Sequence, residues 1–167
     1  VHTTRPATAD DAAVMGRVHV RAWQAAYRGH MPDAYLDALS ADDRADLWRG
    51  AVARPRARAS ILVVEREGQV VGFAALGPAG VDDSGELYSI NVDPDAWGAG
   101  AGRELLEAAQ DELRALGYGD AILWVLPGND RARRFYERAG WTDDGVERTQ
   151  QVLGATVSEV RYRRPLA

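Results

Sequence analysis

Apolar positions along this chain keep two different periods, and the point where one gives way to the other divides the sequence. Through Ala53 they recur at helical spacing. In TADDAAVMGRVHVRAWQAAY, residues Ala12, Met15, Val18, Ala22 and Ala26 share one side of a helix, Thr8 or Asp10 is placed to cap it, and Gly29 and Pro32 end it. PDAYLDAL and SADDRADLWRGAVA predict two further short helices, the second capped by Ser40. A short strand at Thr3 to Arg5, closed by Pro6, precedes all three. From Ser60 onward the pattern is that of strands. ASILVVE and QVVGFAAL are continuous apolar runs joined by the polar link EREG, in which Gly68 can take a positive φ, so the two predict a β-hairpin. ELYSINV is a third strand after the loop GPAGVDDSG. A glycine-rich turn follows, then a helix with Gly102, Leu105, Leu106, Ala109, Leu113 and Leu116 on one face, stopped by Gly117 and Gly119. AILWV is a fourth strand, NDRARRFYERAG a short helix, and the remainder reads as two terminal strands, the last being VSEVRYR. Helices, an antiparallel meander and then β-α-β-α-β predict a mixed α/β domain spanning residues 1–167.

Composition narrows what such a domain does. With 46% hydrophobic and 27% charged residues the chain has the makeup of an ordered globular protein. Its net charge of -5 argues against nucleic acid as a partner, because phosphate contacts normally show as a basic surplus. Cysteine is absent, which removes disulfides, thiolate metal sites and cysteine nucleophiles, and the three histidines His2, His19 and His30 lack metal-ligand spacing, so no metal is expected. No apolar run approaches the ~20 residues that span a bilayer, and no signal-peptide pattern opens the chain, so the expectation is a cytoplasmic protein without a membrane partner. All 20 basic residues are arginine, which reads as the codon usage of a GC-rich genome rather than as a functional device.

The glycine turn carries the first chemical signal. Gly98, Gly100 and Gly102 fall at alternate positions between a strand and a helix. A helix N-terminus presents unpaired N–H groups and about half a positive charge, and glycines let the backbone curl around an oxygen with no Cβ in the way. The same glycines also suit a close strand–helix connection. A phosphate loop of the GxxxxGK type is excluded because the chain has no lysine, and the spacing here is GxGxG rather than the GxGxxG of dinucleotide sites.

The order of motifs resembles the GNAT superfamily of N-acetyltransferases. That family's acetyl-CoA loop follows a central strand and runs Gln or Arg, two residues, Gly, one residue, then Gly or Ala; WGAGAG, Trp97 to Gly102, stands in that place. ELYSINVDP is similar to the central strand and its exit, GNDRARRFYERAGW to the family's Asn…Phe-Tyr-Glu helix, EVRYRR to its closing strand, and RPATADDAAVMGRVHVRAWQAAYRG to its N-terminal helices. The one departure is Trp97, where Gln or Arg is usual. The resemblance implies a GNAT fold, a central, mostly antiparallel, splayed sheet of six to seven strands flanked by about four helices. It also implies transfer of an acetyl group from acetyl-CoA, the cosubstrate, to a primary amine by direct attack in a ternary complex.

Site residues follow from it position by position. The resemblance implies that the CoA pyrophosphate lies on the amides of Trp97, Gly98, Ala99, Gly100, Ala101, Gly102 and Arg103, and that Ile90, Asn91 and Val92 hold the pantetheine arm where the central strands part. Asn129 matches a family asparagine on that arm, and asparagine is also a good helix N-cap. Tyr136, seven residues after Asn129, stands at the position of the general acid, where a phenol can protonate or hydrogen-bond the leaving thiolate; with Ala132, Phe135 and Ala139 it also fits a buried face. Glu86, eleven positions before Trp97, stands where well-known members carry a general base, and strand alternation would put Glu86, Tyr88, Ile90 and Val92 on one side unless a bulge intervenes. His19 and His30 are rival bases. His19, Trp23 and Tyr27 recur at i, i+4 and i+8, so Trp23 and Tyr27 are candidates for the acceptor pocket, with Glu86 beside them, while Trp124 reads as core. The acceptor class stays open between a small-molecule amine and a peptide N-terminus. The C-terminal strands offer a homodimer surface by analogy. An alternative reading of the same motifs is a non-catalytic acyl-CoA-binding or sensory module, for which Trp97 leaves room.

Overall fold

In the computed structural model, described for residues 1–152 and 154–167, one seven-stranded sheet runs in the order β1-β2-β3-β4-β5-β7-β6. Its strands are β1 (His2–Pro6), β2 (Ser60–Arg66), β3 (Gln69–Pro78), β4 (Gly85–Val92), β5 (Asp120–Val125), β6 (Thr142–Val152) and β7 (Ala155–Pro165), with helices α1 (Ala12–Tyr27), α2 (Asp33–Asp37), α3 (Ala41–Ala53), α4 (Ala101–Ala115) and α5 (Asp130–Arg138). The mixed α/β class and the mostly antiparallel sheet are those expected, with five α-helices where about four were predicted. Every strand pairing is antiparallel except β4 with β5.

Local chemistry accounts for the boundaries. Ser40 Oγ accepts the Asp43 N–H at 3.1 Å and starts α3. The β2–β3 turn places Gly68 at φ 77° and, beyond expectation, Glu67 at φ 53°, the pair of positive φ values that a two-residue hairpin turn requires. On one face of the sheet, α1 and α3 cover Val63, Phe73 and Ala75 with Met15, Val18 and Trp48. On the other, α4 buries Leu105, Leu106, Ala109 and Leu113 against Leu62, Val64, Ala74 and Leu76, and the same core continues through Tyr136, Trp141 and Tyr162. Trp141 Nε1 donates to Gln110 Oε1 at 2.8 Å, which satisfies the buried amide on α4.

Two irregularities in β4 position everything that follows. The register with β3 passes from Leu76↔Leu87 to Ala75↔Ser89, so Tyr88 is an extra residue in a bulge. Gly77 makes room for it, since a Cβ there would lie 2.8 Å from the Tyr88 hydroxyl, which itself bonds the Pro78 carbonyl. The bulge reverses the alternation. Leu87, Ile90 and Val92 face the α4 core, whereas Asn91, opposite Phe73, and Ser89, opposite Ala75, share the α1 face with Glu86. The expectation that Glu86 and Tyr88 share a side with Ile90 and Val92 is therefore corrected. The second irregularity is that β4 and β5 pair only at Gly85↔Ala121 and Glu86↔Ile122, after which the strands diverge.

Gly16 sets the approach of α1 to α3: a Cβ there would collide with the Ala41 carbonyl and lie 2.7 Å from the Ala45 N. Gly16→Ala is expected to destabilise the protein by about 1–3 kcal/mol through overpacking. Gly50→Ala, on the open side of α3 with nothing within 4 Å, is expected to stabilise it by about 1 kcal/mol. Urea denaturation of the two variants checks both signs; equal midpoints would show that α1 and α3 are not in close contact at Gly16.

Candidate active site

Where β4 and β5 part, their facing edges border a cavity of about 850 Å³, within the ~300–1,000 Å³ of small-molecule sites. One end of it is the glycine turn. Gly98 and Gly100 sit at φ 78° and 94°, in the left-handed region that excludes most side chains, and the Gly98 Cβ position faces open space. Gly100 is the N-cap of the 15-residue α4, so the free N–H groups of that helix point into the turn. Gly102 lies already in the helix, with Phe135 and Val92 at ordinary contact distance from its Cβ position. Ahead of the turn, a 3-10 segment at Pro94–Ala96 is fixed by Arg21 of α1, which bonds both Asp93 and Asp95 at 3.0 Å.

Of the residues expected at the cofactor, Ile90, Asn91, Val92, Trp97, Gly98 and Gly100 line the cavity, as do Gly102, Arg103, Asn129 and Tyr136. Ala99 is exposed, and Ala101 is fully buried beneath the first turn of α4. Asp93 N–H bonds the Val71 carbonyl at 2.8 Å, so the two-residue alternation of an antiparallel pair turns the amides of Ile90 and Val92 away from β3, toward the cleft. The Val92 carbonyl there is already taken by Trp97 Nε1, at 2.8 Å. Arg103 is exposed and only loosely paired with Glu107, at 3.9 Å. Asn129 caps α5, accepting the Ala132 N–H at 3.2 Å, and still borders the cavity.

At the far end, Trp23 and Tyr27 of α1 pack edge to face, with ring centroids 4.7 Å apart, and form one wall. Trp124, expected in the core, is instead half-buried in the opposite wall, with the Arg148 guanidinium 4.0 Å over its ring. Glu159 of β7 also lines the cavity. Its Oε1 accepts from Arg148 at 3.0 Å, and its side chain is 12% exposed. Sequence reading passed over Glu159, although an acid alternating with apolar Val157 in a closing strand is a detectable anomaly. Glu86 stands just behind this wall on the α1 face. Burial pushes its carboxyl up to about 7; Arg148 opposes that shift and Glu159 adds to it. On the same face of β4 as Glu86, Ser89 Oγ and Asn91 Nδ2 are buried without a hydrogen-bond partner among the described residues. Tyr136 is buried with its ring against Trp141 and Tyr162; burial, with Tyr27 nearby, raises its pKa above the usual phenol value. Burial likewise pushes Tyr27 up to about 12. His19 is structural: it is buried and its Nδ1 accepts the Trp48 Nε1–H at 3.0 Å, while burial lowers its pKa to about 4. His30 is exposed at the cavity rim.

Residues 20–141 match the family model described as the acetyltransferase (GNAT) family, and the chain belongs to that family. It is 31% identical to the uncharacterized N-acetyltransferase YuaI of Bacillus subtilis over 131 residues, which cover 76% of this chain and 73% of YuaI. With the amino-acid acetyltransferase of Azotobacter vinelandii it shares 40% identity over 102 residues, 61% of this chain but only 22% of that one. Among solved structures, PaiA N-acetyltransferase from Thermoplasma acidophilum in complex with coenzyme A has the same fold, with a TM-score of 0.80 over 99% of both chains at 17% identity. Ribosomal-protein-alanine N-acetyltransferase from Brucella melitensis gives a TM-score of 0.71 at 26% identity, over 98% of this chain and 99% of that one. No helix among the described residues is long and apolar enough to cross a membrane.

The raised Glu86 pKa has a thermodynamic consequence. A carboxyl that titrates near 4.5 unfolded and near 7 folded binds its proton more tightly in the native state, so its contribution to stability falls as pH rises from about 4.5 to 7 and is level on either side. Glu86→Gln, which cannot ionise, is expected to gain stability relative to the parent between pH 5 and pH 8. Urea midpoints of the two proteins at both pH values check it, and a pH-independent difference would place the Glu86 carboxyl in water.

Proposed function

We propose that the chain, as one domain over residues 1–167, is an N-acetyltransferase that moves an acetyl group from acetyl-CoA to a primary amine by direct attack in a ternary complex. One observation carries the reading. The cavity between the parted edges of β4 and β5 runs from the N-terminus of α4, with its free N–H groups, to the buried phenol of Tyr136 and the carboxylate of Glu159, with Glu86 on the same face outside the lining. Acetyl-CoA supplies the activated acyl group as a thioester. Its phosphates suit the amides at the start of α4, and its amide-bearing arm suits the cleft-facing backbone of Ile90 and Val92.

The acceptor arrives as an ammonium ion and must lose a proton before it attacks. Glu86, poised near 7, is about half ionised at neutral pH and strong enough to take that proton. Because it stands behind the cavity wall, the transfer runs through water held by Ser89 Oγ and Asn91 Nδ2, whose unmet hydrogen bonds suit one. As the new C–N bond forms and the C–S bond breaks, the nitrogen sheds its second proton and the sulfur gains one. Tyr136, held in its neutral form by burial, donates a hydrogen bond to the departing sulfur; a phenol above its usual pKa acts as a donor before it acts as an acid. Trp23, Tyr27 and Glu159 form the acceptor end, where aromatic faces and a carboxylate favour a cationic amine with an apolar body.

Titration calorimetry with acetyl-CoA, followed by a CoA-release assay over small amines, amino acids and peptides, tests the proposal. Binding without transfer to any acceptor would turn the reading to a non-catalytic acyl-CoA-binding module, and absence of binding would overturn both. Tyr136→Phe is expected to lower kcat by roughly 100-fold while leaving acetyl-CoA affinity within about 2-fold. The kcat/KM profile is expected to rise with pH through a group near 7 that Glu86→Gln removes.

A further inference from the structure

Trp97 opens the glycine turn where related loops carry Gln or Arg, and its ring is not idle. Its Nε1–H is fixed to the Val92 carbonyl at 2.8 Å, which holds the indole against the exit of β4. On that ring lies the guanidinium of Arg131, from the first turn of α5, with Cζ 3.6 Å from the ring centroid. Both side chains line the cavity together with Gly98 and Gly100. Arg131 has no hydrogen-bond or ion-pair partner among the described residues. Most of the chain's arginines do: Arg21 is held by Asp93 and Asp95, Arg133 by Tyr162, and Arg148 by Glu159. Arg131 is exposed as a whole, and the partial burial of its guanidinium against the indole lowers its pKa.

We propose that Trp97 and Arg131 form a phosphate clamp. The indole of the loop holds the guanidinium of α5 over the glycine turn, and Arg131 bonds the pyrophosphate of CoA from the side opposite the α4 amides. Stacking occupies only the flat face of a guanidinium. The N–H groups project from its edge in the same plane and stay free for the forked contact with phosphate oxygens that a lysine cannot make. Arg103, the cation nearest in sequence to the turn, is 74% exposed and has no aromatic ring beneath it among the described residues, so it is the poorer candidate for a fixed contact. The clamp returns a guanidinium to the place where the family loop carries its polar residue, delivered from a different element. It also ties the β4–α4 turn to α5 across the mouth of the cleft. The inference rests on the proposal that this cleft binds CoA.

Calorimetry with CoA, 3′-dephospho-CoA and pantetheine tests it in the full chain, with thermal melts to confirm that each variant is folded. Arg131→Ala is expected to weaken CoA and dephospho-CoA binding equally, by roughly 10- to 100-fold, as the loss of a charge-assisted contact would, and to leave pantetheine unchanged. Trp97→Phe, which keeps an aromatic face, is expected to stay within about 3-fold of the parent. Trp97→Leu is expected to match Arg131→Ala, and the double variant to be no weaker than either single one. Unchanged CoA affinity in Arg131→Ala would overturn the clamp. An equal loss for pantetheine would reduce it to a structural contact, and a loss that vanishes with dephospho-CoA would move the contact to the 3′-phosphate and overturn the pyrophosphate assignment. A Trp97→Leu effect that adds to that of Arg131→Ala would remove the positioning role of Trp97. If the parent chain itself binds none of the three ligands, the proposed function fails along with the clamp.

Discussion

The early parting of β4 from β5 is the constraint on which the site depends. Two residue pairs join these strands, and beyond Glu86 and Ile122 the inner edges of both run on without each other. Open strand edges inside a protein leave backbone donors and acceptors to be met by something else. Part of the demand is met locally, since Trp97 takes the Val92 carbonyl. The rest defines a slot through the sheet rather than a groove on it. Tyr136 reaches the slot from the α4 face, within the core that includes Leu105 and Trp141, whereas Glu86, Trp124 and Glu159 belong to the α1 face. The phenol proposed to serve the leaving group and the carboxylate proposed to serve the attacking amine therefore stand on opposite sides of one sheet. A slot is what allows both to act on one bond.

The bulge at Tyr88 makes that division work. Unbroken alternation would aim Glu86 toward the same side as Ile90 and Val92, into the apolar layer under α4. With one extra residue, the strand presents Ile90 and Val92 to α4 and keeps Glu86 in line with Ser89 and Asn91 on the polar side. Hydrophobic periodicity in ELYSINV does not reveal this, because the bulge depends on a partner in another strand. Gly77 supplies the space and the Pro78 carbonyl supplies the hydrogen bond. The burial that lifts the Glu86 pKa is a product of the same long-range arrangement.

What was legible in the sequence was what is local. The helices of the first third follow from spacing and caps such as Ser40, the hairpin from Gly68, and the turn before α4 from glycines whose left-handed φ values few other residues adopt. Tyr136 and Asn129 could be expected at the cavity, which both line, because their seven-residue spacing from the cap of α5 into that helix resembles the family's. Trp124, Glu159 and Arg131 were misread or missed for a shared reason: each takes its role from a residue far away in the chain. Trp124 and Glu159 are joined through Arg148 of β6, across a hairpin that inserts β7 between β5 and β6. Arg131 meets Trp97 only because β4 and β5 carry their following turns to the same end of the slot. A trace of that pairing is present in the sequence, since the residues three and four after Arg131 on its helix are Arg134 and Phe135, so no acid stands at pairing distance along that face.

Charge along the slot shows why a net charge of -5 says little about it. The N-terminus of α4 and Arg131 make one end positive, with the helix contributing about half a charge without any ionisable group. At the other end Glu159 is paired with Arg148, which also acts on Glu86 through space, so one negative charge is left over when both carboxylates are ionised. The phosphates and the ammonium ion of the proposed substrates would be sorted by this field, because each would be repelled from the end that suits the other. The same field acts on the acid–base step. Glu159 disfavours a negative charge on Glu86, and a cationic amine of the proposed kind beside Glu86 would offset that. For the proposed reaction, this makes Glu86 a stronger base before a cationic amine binds than after, and some of its basicity goes into the ion pair it forms. Placing the two carboxylates around one arginine makes that dependence a property of the fold rather than of any single residue.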